Sequence, residues 1–259
     1  MDPQANTTTE PQLFASLFDY AGLFPPAGLA MDNVVRNFAE YQRGTHCSML
    51  NTLVVPAGRL QEFADCVDAL PADLKGSTWR LSVLSSRWED DGPLVHQFQQ
   101  SCPSADVVSI ETKAQADASA ILKSIKTVYV ELPTDSEFDR VMAELKQLGA
   151  FAKIRTGGLV ADAFPSCDRV AAFIVACVQN SVEFKATAGL HHPIHSQRAT
   201  CDKADAPVVA MHGFVNVIAA GASAQDGASI ADVSAQLSQT ESAEFAASVL
   251  NNNLSLIHI

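Results

Sequence analysis

Thr127-Val-Tyr-Val-Glu-Leu132, Phe151-Ala-Lys-Ile-Arg155 and Val182-Glu-Phe-Lys-Ala-Thr187 are three short apolar, partly β-branched runs, and two longer stretches separate them. Those stretches, Ser136–Leu148 and Cys167–Asn180, carry apolar residues at helical spacing: Phe138, Val141, Met142 and Leu145, then Val170, Phe173, Ile174 and Cys177. Pro133-Thr-Asp-Ser136 and Pro165-Ser166 supply capping chemistry ahead of each helix, and Gly149 supplies a stop before the middle strand. Strand, helix, strand, helix, strand is the order of a parallel sheet built from βα units.

The same rhythm extends towards the N-terminus. Strands are expected at Leu50–Pro56, Trp79–Ser85 and Asp106–Glu111, with helices near Leu60–Leu70, Pro93–Ser101 and Ala114–Ser124. Phe18-Asp-Tyr-Ala-Gly-Leu-Phe-Pro-Pro-Ala-Gly28 is apolar but broken by Pro and Gly, so it reads either as a degenerate first strand or as a loop closing the barrel floor. Beyond His195 the pattern loosens, with helices expected at Met211–Ala222 and Ser229–Gln239. Six strands and a doubtful seventh predict an α/β fold, a TIM-like (β/α) barrel incomplete at its C-terminus, with a doubly wound open sheet as the rival.

One such domain is expected over residues 1–253. The final Leu254-Ser-Leu-Ile-His-Ile259 follows a run of three asparagines and matches one reading frame of CTG TCT CTT ATA CAC ATC, a transposon end used in sequencing-library preparation. Residues 254–259 are therefore expected to be an adapter artefact, with the natural chain continuing past Asn253.

Composition narrows the function classes. A chain of 259 residues that is 47% hydrophobic can bury one large core. Its net charge of −12 repels nucleic acid and anionic membranes, so neither is an expected partner, and any anionic ligand needs a local basic pocket. The start is polar and no apolar run approaches the ~20 residues of a membrane span, which makes a cytoplasmic protein the expectation. Six scattered cysteines without a C-x-x-C pair read as free thiols. A small-molecule substrate is the expected partner, and a homo-oligomer is compatible with the sequence.

In parallel α/β folds the loops after the strand C-termini carry the chemistry. Here those ends hold Glu111, Glu131, Lys153 with Arg155, and Lys185 with Thr187. Strand side chains alternate with period two, so Lys153 and Arg155 share a face, as do Lys185 and Thr187. Two lysines in one enclosed space disfavour each other's charge, and a neutral amine is a nucleophile. Arg155 and the amides of Gly157 and Gly158 could hold a phosphate or carboxylate.

Lys153-Ile-Arg-Thr-Gly-Gly-Leu159 followed by Phe184-Lys-Ala-Thr-Ala-Gly-Leu190 resembles the deoxyribose-phosphate aldolase family, class I aldolases on a TIM barrel. The resemblance covers roughly residues 151–190, and the spacing of 32 residues (185 − 153) suits one βα unit. It implies a carbon–carbon lyase without a cofactor, acting on a small carbonyl compound, phosphorylated or not. Lys153 would form the Schiff base and Lys185 would depress its pKa, with Glu131 the carboxylate best placed to move protons. Apart from the resemblance, the residues themselves offer His191 as an acid or base at the barrel mouth and Arg155, Thr187, Gly157, Gly158, Glu111, His192 and His212 as substrate contacts.

Two other readings come from the residues themselves. His191, His192 and His195, with His212 further on, could bind a divalent metal completed by Glu131 or Glu111, giving a metal-dependent lyase, hydrolase or isomerase. A non-catalytic barrel that binds a small anion is the third.

Overall fold

The computed structural model describes residues 14–113, 115–200, 205–240 and 257–258. Seven parallel strands follow one another across one curled sheet: β1 (Phe18–Tyr20), β2 (Leu50–Pro56), β3 (Trp79–Ser85), β4 (Ala105–Thr112), β5 (Val128–Glu131), β6 (Phe151–Arg155) and β7 (Phe184–Thr187). Helices fill the crossovers: α1 (Met31–Tyr41), α2 (Leu60–Asp68), α3 (Trp88–Ser101), α4 (Gln115–Ile121), α5 (Phe138–Leu148) and α6 (Cys167–Asn180). Strict sequential order is the topology of a (β/α) barrel, and a doubly wound sheet would instead reverse direction partway. The fold is an α/β TIM-like barrel, open and incomplete.

Past β7 the regular alternation changes. An antiparallel hairpin of β8 (Ser196–Ala199) and β9 (Val208–Met211) intervenes before α7 (Phe214–Gln225) and α8 (Ile230–Ser238). Val208–Met211 thus starts as a strand where a helix from Met211 was expected. The short β10 (Ile257–His258) pairs in parallel with Phe184 and Lys185 on the outer edge of β7; the rest of the 254–259 stretch lies outside the described residues.

Phe18–Tyr20 is the first strand, which settles the ambiguity over residues 18–28. The loop after it does not close the floor: Ala21, Gly22 and Phe24 through Ala27 line a cavity at the carboxyl ends of the strands. Register explains where the polar residues go. Tyr129 pairs with Glu111, Glu131 with Lys153, and Lys153 with Lys185, so these side chains share the inner face of the curl. The alternate positions Leu53, Val55, Leu81, Val83, Ile110, Val128, Val130, Ala152, Ile154, Phe184 and Ala186 belong to the apolar core between sheet and helices. In that layer Phe38 stacks on Trp79 at 5.7 Å and Phe63 meets Trp79 edge-on at 5.3 Å. Each such burial contributes about 1.5–3 kcal/mol.

The inner face is unusual for a barrel. Instead of layers of Val, Ile and Leu, it carries buried Thr52, Ser82, Ser109, Glu111, Lys153 and Lys185. The outer layer carries the hydrophobic stabilisation, which leaves the interior free for charge. Among the described residues no helix is long and apolar enough to cross a membrane, and the five described cysteines are free thiols.

Candidate functional site

Glu111 is the hub of the interior. On β4 its carboxylate is 3% exposed, and Lys153 on β6 reaches Oε2 at 2.6 Å while Lys185 on β7 donates to Oε1 at 2.6 Å. Ser82 on β3 also donates to Oε1, at 2.7 Å, and Ser109 donates to Ser82 at 2.8 Å. Lys153 has a second partner in Glu131 at 2.9 Å, and Glu131 in turn lies 3.7 Å from the exposed Lys113. Lys185 has a second partner in Asp19 on β1, whose other oxygen accepts from the Thr52 amide at 3.0 Å. This last pair joins the first strand to the seventh, so the sheet is curled enough for these two strands to touch through side chains.

The electrostatics follow from that inventory. Burial alone would drive Lys185 neutral, but Glu111 and Asp19 outweigh it and hold the ammonium above the ordinary lysine range. Burial likewise pushes Glu111 up, and the two lysines reverse this and hold it well below the usual carboxylate range. The expectation that crowding would discharge the amines is corrected here for Lys185. Three carboxylates, Asp19, Glu111 and Glu131, surround the two amines, so with every group ionised the charge is 2 − 3 = −1. Lys185 also lies 5.3 Å from the centroid of the Tyr129 ring, whose phenol burial pushes up despite the nearby cation.

Above this network opens a cavity of ≈ 560 Å³, lined among others by Asp19, Glu111, Lys153, Arg155, Lys185, Thr187 and His191. Arg155 is exposed at the rim, with one terminal nitrogen 3.5 Å from the Gly157 carbonyl. His191 stands on the same rim, and burial, then neighbouring His192, lowers its pKa so that it is neutral near pH 7. The volume suits a molecule of metabolite size.

Several expected contacts are not made. Gly158 lines the cavity, but Gly157, His192 and His212 do not, and Glu131 reaches the cavity only through Lys153. Glu111 is a positioning group whose oxygens are already occupied by lysines. Gly157 has a packing reason instead: a methyl there would lie 2.6 Å from Gly189 Cα and 2.7 Å from the Phe164 ring. It lets the loops after β6 and β7 touch, a contact reinforced by the Thr156 hydroxyl donating to the Ala188 carbonyl at 2.5 Å. Gly157→Ala is expected to lower stability by about 1–3 kcal/mol through overpacking, read from urea denaturation. An unchanged midpoint would mean the two loops part freely.

The histidines fall into two groups, with His195 and His212 apart from His191. His212 is buried and bonds the Pro165 carbonyl at 2.7 Å, and its ring centroid lies 6.0 Å from that of His195. Neither joins His191 at the cavity, and among the described residues no group of His191 or His192 with Glu111 or Glu131 has the geometry to hold a metal ion. Asp19 is the site residue the sequence did not disclose. Its signal, an acid inside an apolar triplet ahead of a loop, was present in Phe18-Asp-Tyr20 but resembled a turn. No protein family, curated protein or solved structure matches the chain, so its chemistry rests on the geometry just described.

Proposed function

We propose that the protein is a class I aldolase-like carbon–carbon lyase acting on a small carbonyl compound with an anionic group. The observation that carries this reading is the pair of amines, Lys153 and Lys185, held from adjacent strands on the two oxygens of one buried carboxylate beneath a metabolite-sized cavity. A buried lysine is costly, and a site that only needed stability would gain as much from apolar residues.

Lys153 is the nucleophile in this scheme. It contacts Glu131, the carboxylate with a route to solvent, whereas Lys185 is locked between Asp19 and Glu111. Glu131 accepts a proton from the Lys153 ammonium, the free amine adds to the carbonyl carbon to give a carbinolamine, and Glu131 returns the proton to its hydroxyl so that water leaves and an iminium ion remains. The retained charge on Lys185 supports the carbonyl oxygen as negative charge develops on it. Loss of the β-hydroxyl proton to neutral His191 cleaves the carbon–carbon bond, releasing an aldehyde and leaving an enamine; the proton returns to the enamine carbon, and water hydrolyses the resulting iminium to the second carbonyl product and the amine. Arg155 on the rim would hold a phosphate or carboxylate, and neutral His191 would exchange protons at the mouth.

Borohydride reduction in the presence of a panel of aldehydes and ketones tests this. A mass increase confined to the peptide containing Lys153, lost in Lys153→Met, is the expected result. Absence of an adduct across the panel, or reaction at Lys185 instead, would overturn the assignment. Binding of a small anion without an adduct would favour a non-catalytic barrel.

A further inference from the structure

A second cluster lies on the same end of the barrel and takes no part in the lysine network. Its members come from two places. Cys167 is the first residue of α6, where the Ser166 side chain accepts the Arg169 amide at 3.3 Å and fixes the helix start. His195 and His212 flank the base of the β8–β9 hairpin: Ser196 pairs with Met211, so the next residues outward face each other across the two strands. One donor atom from each of the three lies within 4.8 Å of the other two.

The hydrogen bonding leaves one nitrogen of each imidazole available to a ligand. The Pro165 carbonyl can only accept, so His212 Nε2 carries the proton and donates to it, leaving a lone pair on Nδ1. That Nδ1 faces Cys167 Sγ at 4.0 Å. His195 Nδ1 is buried and has no hydrogen-bond partner, an expensive condition for a ring nitrogen without a purpose. The backbone is braced around it. The His195 amide donates to Asn216 Oδ1 at 2.8 Å, and the same fully buried Asn216 donates to the Gln236 and Gln239 carbonyls, each at 2.9 Å. Gly213 follows His212 at a point where any side chain would collide with Asn216 and the Pro193 carbonyl.

We propose that Cys167, His195 and His212 bind one zinc ion, with water in the fourth position. One thiolate and two imidazoles form a donor set suited to zinc and unsuited to magnesium or calcium, which prefer oxygen. Binding releases the Cys167 thiol proton and draws the three donors inward, towards the roughly 2.0–2.3 Å bonds that zinc makes with such ligands. None of the three lines the cavity, but their neighbours Phe164, Thr200 and Met211 do. The ion would therefore clamp the hairpin to the start of α6 and set one wall of the substrate cavity. This site stands whether or not Lys153 forms an imine.

Cobalt titration of chelator-treated protein provides the test. The expected result is a thiolate-to-cobalt charge-transfer band with visible bands of tetrahedral intensity, saturating at one ion per chain and displaced by zinc. Cys167→Ser should lose the charge-transfer band. Should that variant fail to fold, alkylation of the unaltered protein decides: zinc should slow modification of Cys167, mapped by peptide mass, and leave the exposed Cys47 unaffected. No charge-transfer band, a band that survives Cys167→Ser, or zinc-independent alkylation of Cys167 would each overturn the site.

Discussion

Replacing Lys185 with Met is expected to lower the free energy of unfolding by about 3–5 kcal/mol, the cost of stranding buried charge when one partner of an ion pair is removed. The charge count gives the direction. The unaltered network carries two amines against Asp19, Glu111 and Glu131; without Lys185 the balance falls from −1 to 1 − 3 = −2. Asp19 and Glu111 both lose a short contact to the ammonium. The double variant Lys185→Met with Asp19→Asn should recover part of the loss, because it neutralises one of the stranded carboxylates. Urea denaturation of the three proteins measures this. A single-variant cost below about 1 kcal/mol, the size of a surface ion pair, would mean that the lysine is solvated and the interior network is not as described.

The second large effect is on pH dependence. Glu111 has its folded pKa depressed, so its contribution to stability is present above the unfolded value of about 4.3 and is lost as pH falls through that value towards the folded one. Lys185 has its folded pKa raised, so its contribution is present below the unfolded value of about 10.4 and is lost as pH rises beyond it. The stability difference between the unaltered protein and Lys185→Met should therefore be flat between about pH 5 and pH 10 and shrink at both ends. Denaturation midpoints across that range check it. Two curves that stay parallel into acid and alkali would dissociate the network from stability.

The barrel strands were legible because β2 through β7 must be apolar on the outer face, where helices cover them. That requirement produces dense runs such as Leu53 to Val55 and Val128 to Val130, and the strand ends then pointed to Glu111, Glu131, Lys153 and Lys185. The elements that stayed hidden lack that pressure. β1 has three residues, all half-buried, and no period can be read from three positions. The hairpin strand Ser196–Ala199 is almost wholly exposed, so nothing selects alternating apolar residues there. Helix α1 is different, because it carries the helical pattern in full, with Met31, Val34, Val35, Phe38 and Ala39 buried. Cys167 was legible only as a thiol, because its histidine neighbours arrive from a hairpin whose register no local pattern announces.

The polar chain through the interior draws on six strands: Asp19 from β1, Ser82 from β3, Glu111 from β4, Glu131 from β5, Lys153 from β6 and Lys185 from β7. Its end members, 19 and 185, are 166 residues apart in the chain (185 − 19), so ribosomal synthesis must pass the seventh strand before the first has its partner. A nascent or cleaved fragment that lacks that strand carries stranded acids in a lumen meant to be neutralised from afar, and is marked as unfinished by its own electrostatics. The charge balance of the interior is therefore closed only when the seventh strand is in place.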